Sequence, residues 1–135
     1  MRAIKFRGFS KKEVVPFSQE RQWVVGNLLT EEGFAAIHNG KFPVEVIPDS
    51  VGQYIGIIDT STPPKEIYDG DIIDSKSGIR HLVKYDDDSA AFLAYKLPLN
   101  EFDNGCHIKN DWVVKFEKKV IGNVFDNHEL IKKEE

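Results

Sequence analysis

Six aspartates fall within one twenty-residue span: Asp69, Asp71 and Asp74 in YDGDIID, and Asp86, Asp87 and Asp88 in DDDS. Carboxylate oxygens are hard donors. If a hairpin brought Asp69, Asp71 and Asp86 together, they would hold a divalent cation and support metal-dependent hydrolysis. The spacing does not fit the calcium-loop pattern, which sets acids at alternate positions ahead of a glycine and a distant glutamate. The same letters also make turns. Asp-Gly is a favoured turn pair, and DDDS sits where a hairpin must reverse. Solvated turn acids are the reading this spacing favours.

The other reactive side chains are scattered. His38, His81, His107 and His128 stand apart from one another, with no His-x-x-x-His or Cys-x-x-Cys spacing to hold zinc. Cys106 and His107 are adjacent, so in a strand they would point to opposite faces. No Gly-x-Ser-x-Gly elbow is present, and the GKF at Gly40 lacks the rest of a phosphate-binding loop. No cofactor is expected. One further arrangement bears on binding. Arg2, Lys5, Arg7, Lys11 and Lys12 interleave with Phe6 and Phe9, which would form a nucleic-acid strip with stacking platforms. An amphipathic edge strand explains the same residues, with Phe6 turned to the core and Lys5 and Arg7 outward.

The elements that position these residues read as strands. Alternation of apolar and polar residues dominates AIKFRGF, QWVVGNLL, FAAIHNG and VEVIPDS, with Gly26 marking a bulge or a close backbone approach. Asn39-Gly40 suits a tight hairpin turn, and Pro48 ends a strand. After QYIGIID, the adjacent prolines in TSTPPK mark the boundary between two halves, near residues 60–65. The second half offers DIID, IRHLVKY, AAFLAYK, WVVKFE and KVIGNVF as short strands separated by turns, a pattern that suits a small bent sheet or barrel. In WVVKFE, Trp112, Val114 and Phe116 would share one face. DNHELIKK sets Asp126 as an N-cap with Glu129 three residues later, which predicts a short closing helix. WVVGNLL and KVIGNVF share the order apolar, apolar, Gly, Asn, apolar, apolar, which common sheet geometry explains without duplication.

Composition sets the outer bounds. The chain has 135 residues, 41% hydrophobic and 30% charged, enough for one compact domain or two small halves with a buried core. The net charge of −4 argues against a protein whose main task is coating nucleic acid. The charge is unevenly spread, because the first twelve residues hold five of the 18 basic residues and none of the 22 acidic ones. No apolar run nears the roughly 20 residues of a membrane span, and the N-terminus does not read as a secretory signal. The single cysteine fits a reducing compartment, so the expected location is the cytoplasm of a bacterial host cell.

Several segments taken together point to a family. IKFRG, WVVGNLL, VIPDSVGQYIGIID, KEIYDGDII and VIGNVFDNHELI resemble, in this order, the YopX-like proteins of bacteriophages and prophages. The densest matches are VGQYIGIID followed by KEIYDGDII, and IGNVFDNHELI, where the family pattern has proline in place of His128. TSTPP replaces the polar, glycine-containing turn of the pattern. The resemblance transfers no catalytic residues. It implies that Gly70 and Asp71 open a recurring GDII strand of the kind found in small SH3-like barrels, the glycine for the turn and the aspartate for backbone amides.

These readings predict a mostly β protein, α+β at most. A strand-rich part over 1–60 would pack on an SH3-like small barrel over 65–135 that ends in a short helix, the two forming one compact unit if closely packed. Gly70, Asp71, Gly122 and Asn123 are read as structural. The expected function is that of a non-enzymatic accessory module of a phage or prophage, docking a protein partner or another copy of itself. The alternatives are a nucleic-acid-binding protein using Arg2, Lys5, Arg7, Lys11 and Lys12 with exposed Trp23 or Trp112, and a metal-dependent hydrolase using Asp69, Asp71 and Asp86.

Overall fold

The computed structural model describes residues 3–12 and 20–131. It is mostly β, and it divides into two compact units, Met1–Tyr54 and Ile55–Glu135. Arg2 lies outside the described residues.

The first unit holds β1 (Phe6–Phe9), β2 (Trp23–Glu31), β3 (Phe34–His38), β4 (Pro43–Val46) and the start of β5 (Gly52–Ile58). They pair antiparallel in the order β4-β3-β2-β1-β5. Alternation sorts the side chains. Phe6, Val24, Leu28, Ile37 and Val46 turn to one face and, with Ala35, Val44, Phe42 and Val51, build the core. Phe9 pairs with Trp23 and Arg7 with Val25 on the opposite face. Gly26 is a close approach, since a β-carbon there would collide with the backbone carbonyl of His38. The turn after β3 is built by Asn39, whose Oδ1 accepts the N–H groups of Lys41 (2.9 Å) and Phe42 (3.0 Å).

The second unit takes the remainder of β5, then β6 (Glu66–Tyr68), β7 (Asp71–Asp74), β8 (Arg80–Asp86), β9 (Ala91–Lys96), β10 (Cys106–His107), α1 (Asn110–Lys115) and β11 (Lys119–Asn123). The division falls inside β5, and the Thr60–Lys65 stretch belongs to this unit. Its main sheet is antiparallel in the order β10-β9-β8-β7-β11. Ile55, Ile67, Ile73, Val83 and Val113 form its core, flanked by Ile57, Phe92, Ile108, Trp112 and Val120. The sheet is open, not the closed SH3-like barrel expected from the sequence. Its outer strands, β10 and β11, do not pair with each other, and β10 spans only two residues.

Two element assignments differ from the sequence reading. WVVKFE is not a strand, because Asn110–Lys115 is helical and Trp112 and Phe116 meet at i, i+4 with ring centroids 6.5 Å apart. Val113 is 1% exposed and Val114 65%, the reverse of what alternation assigns. A run this short satisfies both periods, and packing of Val113 and Trp112 on the core decides for the helix. The closing helix is a single 3₁₀ turn, His128–Leu130, without the expected Asp126 cap. The turn ahead of it is held by Asn123, whose Oδ1 accepts the Asp126 N–H (2.8 Å), and by Asn127, whose Oδ1 accepts the Asn123 N–H (3.2 Å). Such local side-chain bonds compete with helix formation.

Candidate functional site

The acidic turns are occupied by their own backbone. Gly70 adopts φ +93°, a left-handed conformation that glycine enters without steric cost, and so delivers Asp71 to the start of β7. Asp71 is 0% exposed, and its Oδ2 accepts the Tyr68 N–H at 2.7 Å. Asp69 Oδ1 accepts the Tyr85 N–H at 3.1 Å. Asp86 Oδ2 accepts both the N–H (3.1 Å) and the hydroxyl (2.6 Å) of Ser89. Asp74 lies 3.9 Å from the Arg80 guanidinium. Asp69, Asp71 and Asp86 thus serve three separate backbone or turn positions. Among the described residues, no three His, Cys, Asp or Glu side chains are grouped to hold a metal ion.

One heavily used carboxylate is a residue the sequence reading passed over. Asp59, 4% exposed, accepts four hydrogen bonds. Ser61 N–H (2.9 Å) and Lys65 N–H (2.8 Å) reach Oδ1, while the Ser61 hydroxyl (2.8 Å) and Val120 N–H (2.9 Å) reach Oδ2. Burial raises its pKa, but the Lys65, Val120 and Ser61 donors outweigh burial and hold it below its ordinary value. It clasps the Thr60–Lys65 loop to β11. The local signal was Asp59 followed by Ser61, an Asx-turn spacing.

The four histidines do not converge. His38 caps its own turn, with Nδ1 accepting the Gly40 N–H at 3.1 Å. His107 is exposed on β10, next to the exposed Cys106, and His128 begins the 3₁₀ turn. His81 is different. Its Nδ1 lies 3.1 Å from the Lys118 ammonium, which also sits 4.7 Å over the Trp112 ring. Lys118 is only 2% exposed. Its ammonium can only donate, so Nδ1 accepts and the imidazole is neutral. Burial, reinforced by the Lys118 charge, pushes His81 down to about 4, with Asp103 opposing. Burial likewise lowers Lys118, against the pull of Cys106 and Asp74. This arrangement fastens the end of α1 to β8.

The N-terminal cations and aromatics share one face of the first unit. The Arg7 guanidinium stacks 4.9 Å over Trp23, Arg21 stacks 4.8 Å over Phe9, and Lys5 sits 5.1 Å over Tyr54. Phe9 and Trp23 meet edge to face at 5.5 Å. Lys11 pairs with Glu45 at 3.3 Å, and Lys12 is exposed. Phe6 packs on the core, as alternation requires. Trp112 is committed to the core and to His81, with ring centroids 5.4 Å apart.

A last surface lies between β9 and β10. Asp103 Oδ2 accepts the Lys96 N–H (3.0 Å), and its Oδ1 accepts the Gly105 N–H (2.8 Å). Asn100 Oδ1 accepts the Phe102 N–H (2.9 Å), and the Asn100 carbonyl accepts the Asp103 N–H (3.0 Å). The loop is therefore braced, yet it carries Phe102 at 82% exposure. Lys96, Leu97, Pro98, Asn100 and Asp103 line an open concavity of about 310 Å³ beside it.

No helix of the described residues is long and apolar enough to cross a membrane. Comparison with curated proteins gives no match. The family described as YopX protein matches residues 5–132, nearly the whole chain, in agreement with the segments from IKFRG to IGNVFDNHELI. The chain belongs to the YopX protein family.

Proposed function

We propose that this YopX-family protein is a non-enzymatic accessory module of a phage or prophage, and that it works by associating with a second copy of itself through the loop between β9 and β10. Phe102 carries this reading. A large ring in solvent on a braced loop loses little conformational freedom on docking, which is how anchor residues at interfaces gain their energy. The same loop supplies the receiving surface. The open concavity beside Phe102, lined by Leu97 and Pro98 together with Lys96, Asn100 and Asp103, measures about 310 Å³ and has room for an aromatic ring. Knob and hole on one loop make a self-complementary surface, as a two-fold interface requires. The acids support the same conclusion from the other side, since Asp59, Asp69, Asp71 and Asp86 already accept backbone donors.

Light scattering coupled to size exclusion, run across a concentration series, tests the reading. The wild-type chain is expected to shift from monomer to dimer with concentration, and Phe102→Ser to stay monomeric with an unchanged melting temperature. A wild-type chain that remains monomeric throughout would overturn it, as would a Phe102→Ser variant that still dimerises.

A further inference from the structure

The turn between β3 and β4 holds more chemistry than a turn requires. Asn39 and Gly40 are an asparagine–glycine pair, and neighbouring groups act on both of the atoms that could react. His38 Nδ1 accepts the Gly40 N–H at 3.1 Å, so that nitrogen is unprotonated and within reach of the proton as a base. On the other side, the Asn39 side-chain carbonyl accepts the N–H groups of Lys41 (2.9 Å) and Phe42 (3.0 Å). Two donors on one amide oxygen polarise its carbon and stabilise negative charge that develops on the oxygen. Gly40 is exposed at φ +97°, and nothing beyond its chain neighbours lies within 4 Å of where a β-carbon would stand. No side chain crowds the pair. The other asparagine–glycine pair, Asn104-Gly105, lacks both features. Its glycine N–H donates to the Asp103 carboxylate at 2.8 Å, a weaker base than imidazole. Among the described residues no donor reaches the Asn104 side chain.

We infer that Asn39 is a self-modifying site, deamidated through a cyclic imide with His38 as the general base. The Gly40 nitrogen attacks Asn39 Cγ and gives its proton to His38 Nδ1. The charge that forms on Oδ1 rests on the Lys41 and Phe42 N–H groups. His38 then passes the proton to the side-chain nitrogen, the bond from Cγ to that nitrogen breaks, and ammonia leaves. Water opens the imide at either carbonyl and leaves aspartate or isoaspartate at this position. No oxidant or cofactor takes part. Isoaspartate adds an extra carbon to the backbone of a turn whose register sets His38 opposite Pro43, so the modification loosens the β3–β4 hairpin as the protein ages. Self-association plays no part in this, since it uses a loop of the second unit.

Peptide mapping by mass spectrometry, on full-length protein incubated in neutral buffer, tests it by reading Asn39 against Asn104 in the same sample. Asn39 is expected to deamidate about tenfold faster than Asn104, a modest share of what a positioned base contributes. His38→Gln is expected to bring Asn39 close to the Asn104 rate and to leave Asn104 unchanged. In concentrated guanidinium chloride, which dissolves the turn, the wild-type ratio of the two rates should collapse towards one; this arm needs no variant to fold. Equal rates in the folded protein overturn the inference. So does a His38→Gln variant that loses the Asn39 amide as fast as the wild type, or a ratio in denaturant as large as in buffer.

Discussion

The two units solve the same problem, closing short antiparallel strands, with different chemistry. In the first, neutral side chains hold the turns: Asn39 caps the β3–β4 turn, and Ser50 Oγ accepts the Phe9 N–H at 2.8 Å while donating to the Ile47 carbonyl at 2.6 Å. In the second, carboxylates join the neutral acceptors Ser75, Asn100, Asn123 and Asn127, with Asp59, Asp69, Asp71, Asp86 and Asp103 all accepting backbone N–H groups. The contrast shows why an acid-rich sequence need not be a metal site. An ionised carboxylate accepts several donors at once and makes stronger bonds than a hydroxyl or amide, so a sheet with tight turns gains by using aspartate. The Asp59 bonds also make the second unit's stability depend on pH, which the first unit's serine and asparagine turns do not.

Removing a carboxylate hub should break the contrast most visibly. Asp59→Ala strands the Lys65, Ser61 and Val120 N–H groups, and we expect a loss of about 3 kcal/mol or more in urea unfolding, since each buried donor left unpaired costs about 1–3 kcal/mol. The pH dependence carries a defined sign. Asp59 is held below its ordinary value of 3.8, so its contribution is fully present above that pH and is lost as pH falls through the folded value. Asp59→Ala should therefore have a flatter acid limb than the wild type. An unchanged limb would show that the clasp is not ionic.

Ser50→Ala sharpens the comparison from the neutral side. It removes one acceptor for Phe9 N–H, and the expected cost is about 1 kcal/mol, equal at pH 4 and pH 7 when followed by the same unfolding assay. His81→Gln gives an effect confined to pH. Because His81 titrates at about 4 when folded and near 6.5 when unfolded, the unfolded chain takes up its proton first, and stability falls as pH drops from 6.5 towards 4. Glutamine keeps an acceptor for Lys118 without that titration, so the melting temperature of His81→Gln should vary less across this interval.

Much of the fold was legible because period-two alternation survives in short windows. Gly26 was readable as a close approach, and the matching glycine in KVIGNVF, Gly122, proves to be one too, packed against the Asn127 side chain. The WVVKFE helix was not legible, since six residues fit either period and only the packing of Val113 decides. The site residues were less accessible still. Asp59 meets Val120 across 61 positions and Lys118 meets His81 across 37, and strand register, which brings them together, leaves no local trace. Phe102 lies in a stretch without strand alternation, where the flanking Asn100 and Asp103 were the local sign that the loop is braced.

We propose that the aspartates of the second unit serve its backbone and not a cation. Thermal unfolding of the wild type and Asp71→Asn, each with magnesium, manganese, calcium or zinc and with a chelator, tests it most directly. A bound ion at about 100 times its dissociation constant would stabilise the fold by about 2.7 kcal/mol, a shift of several degrees for a chain of this size. We predict the same melting temperature with every ion as with the chelator, and a melting temperature for Asp71→Asn that is lower by a constant amount in all of them. A shift of several degrees with one ion, abolished by Asp71→Asn, would contradict the account.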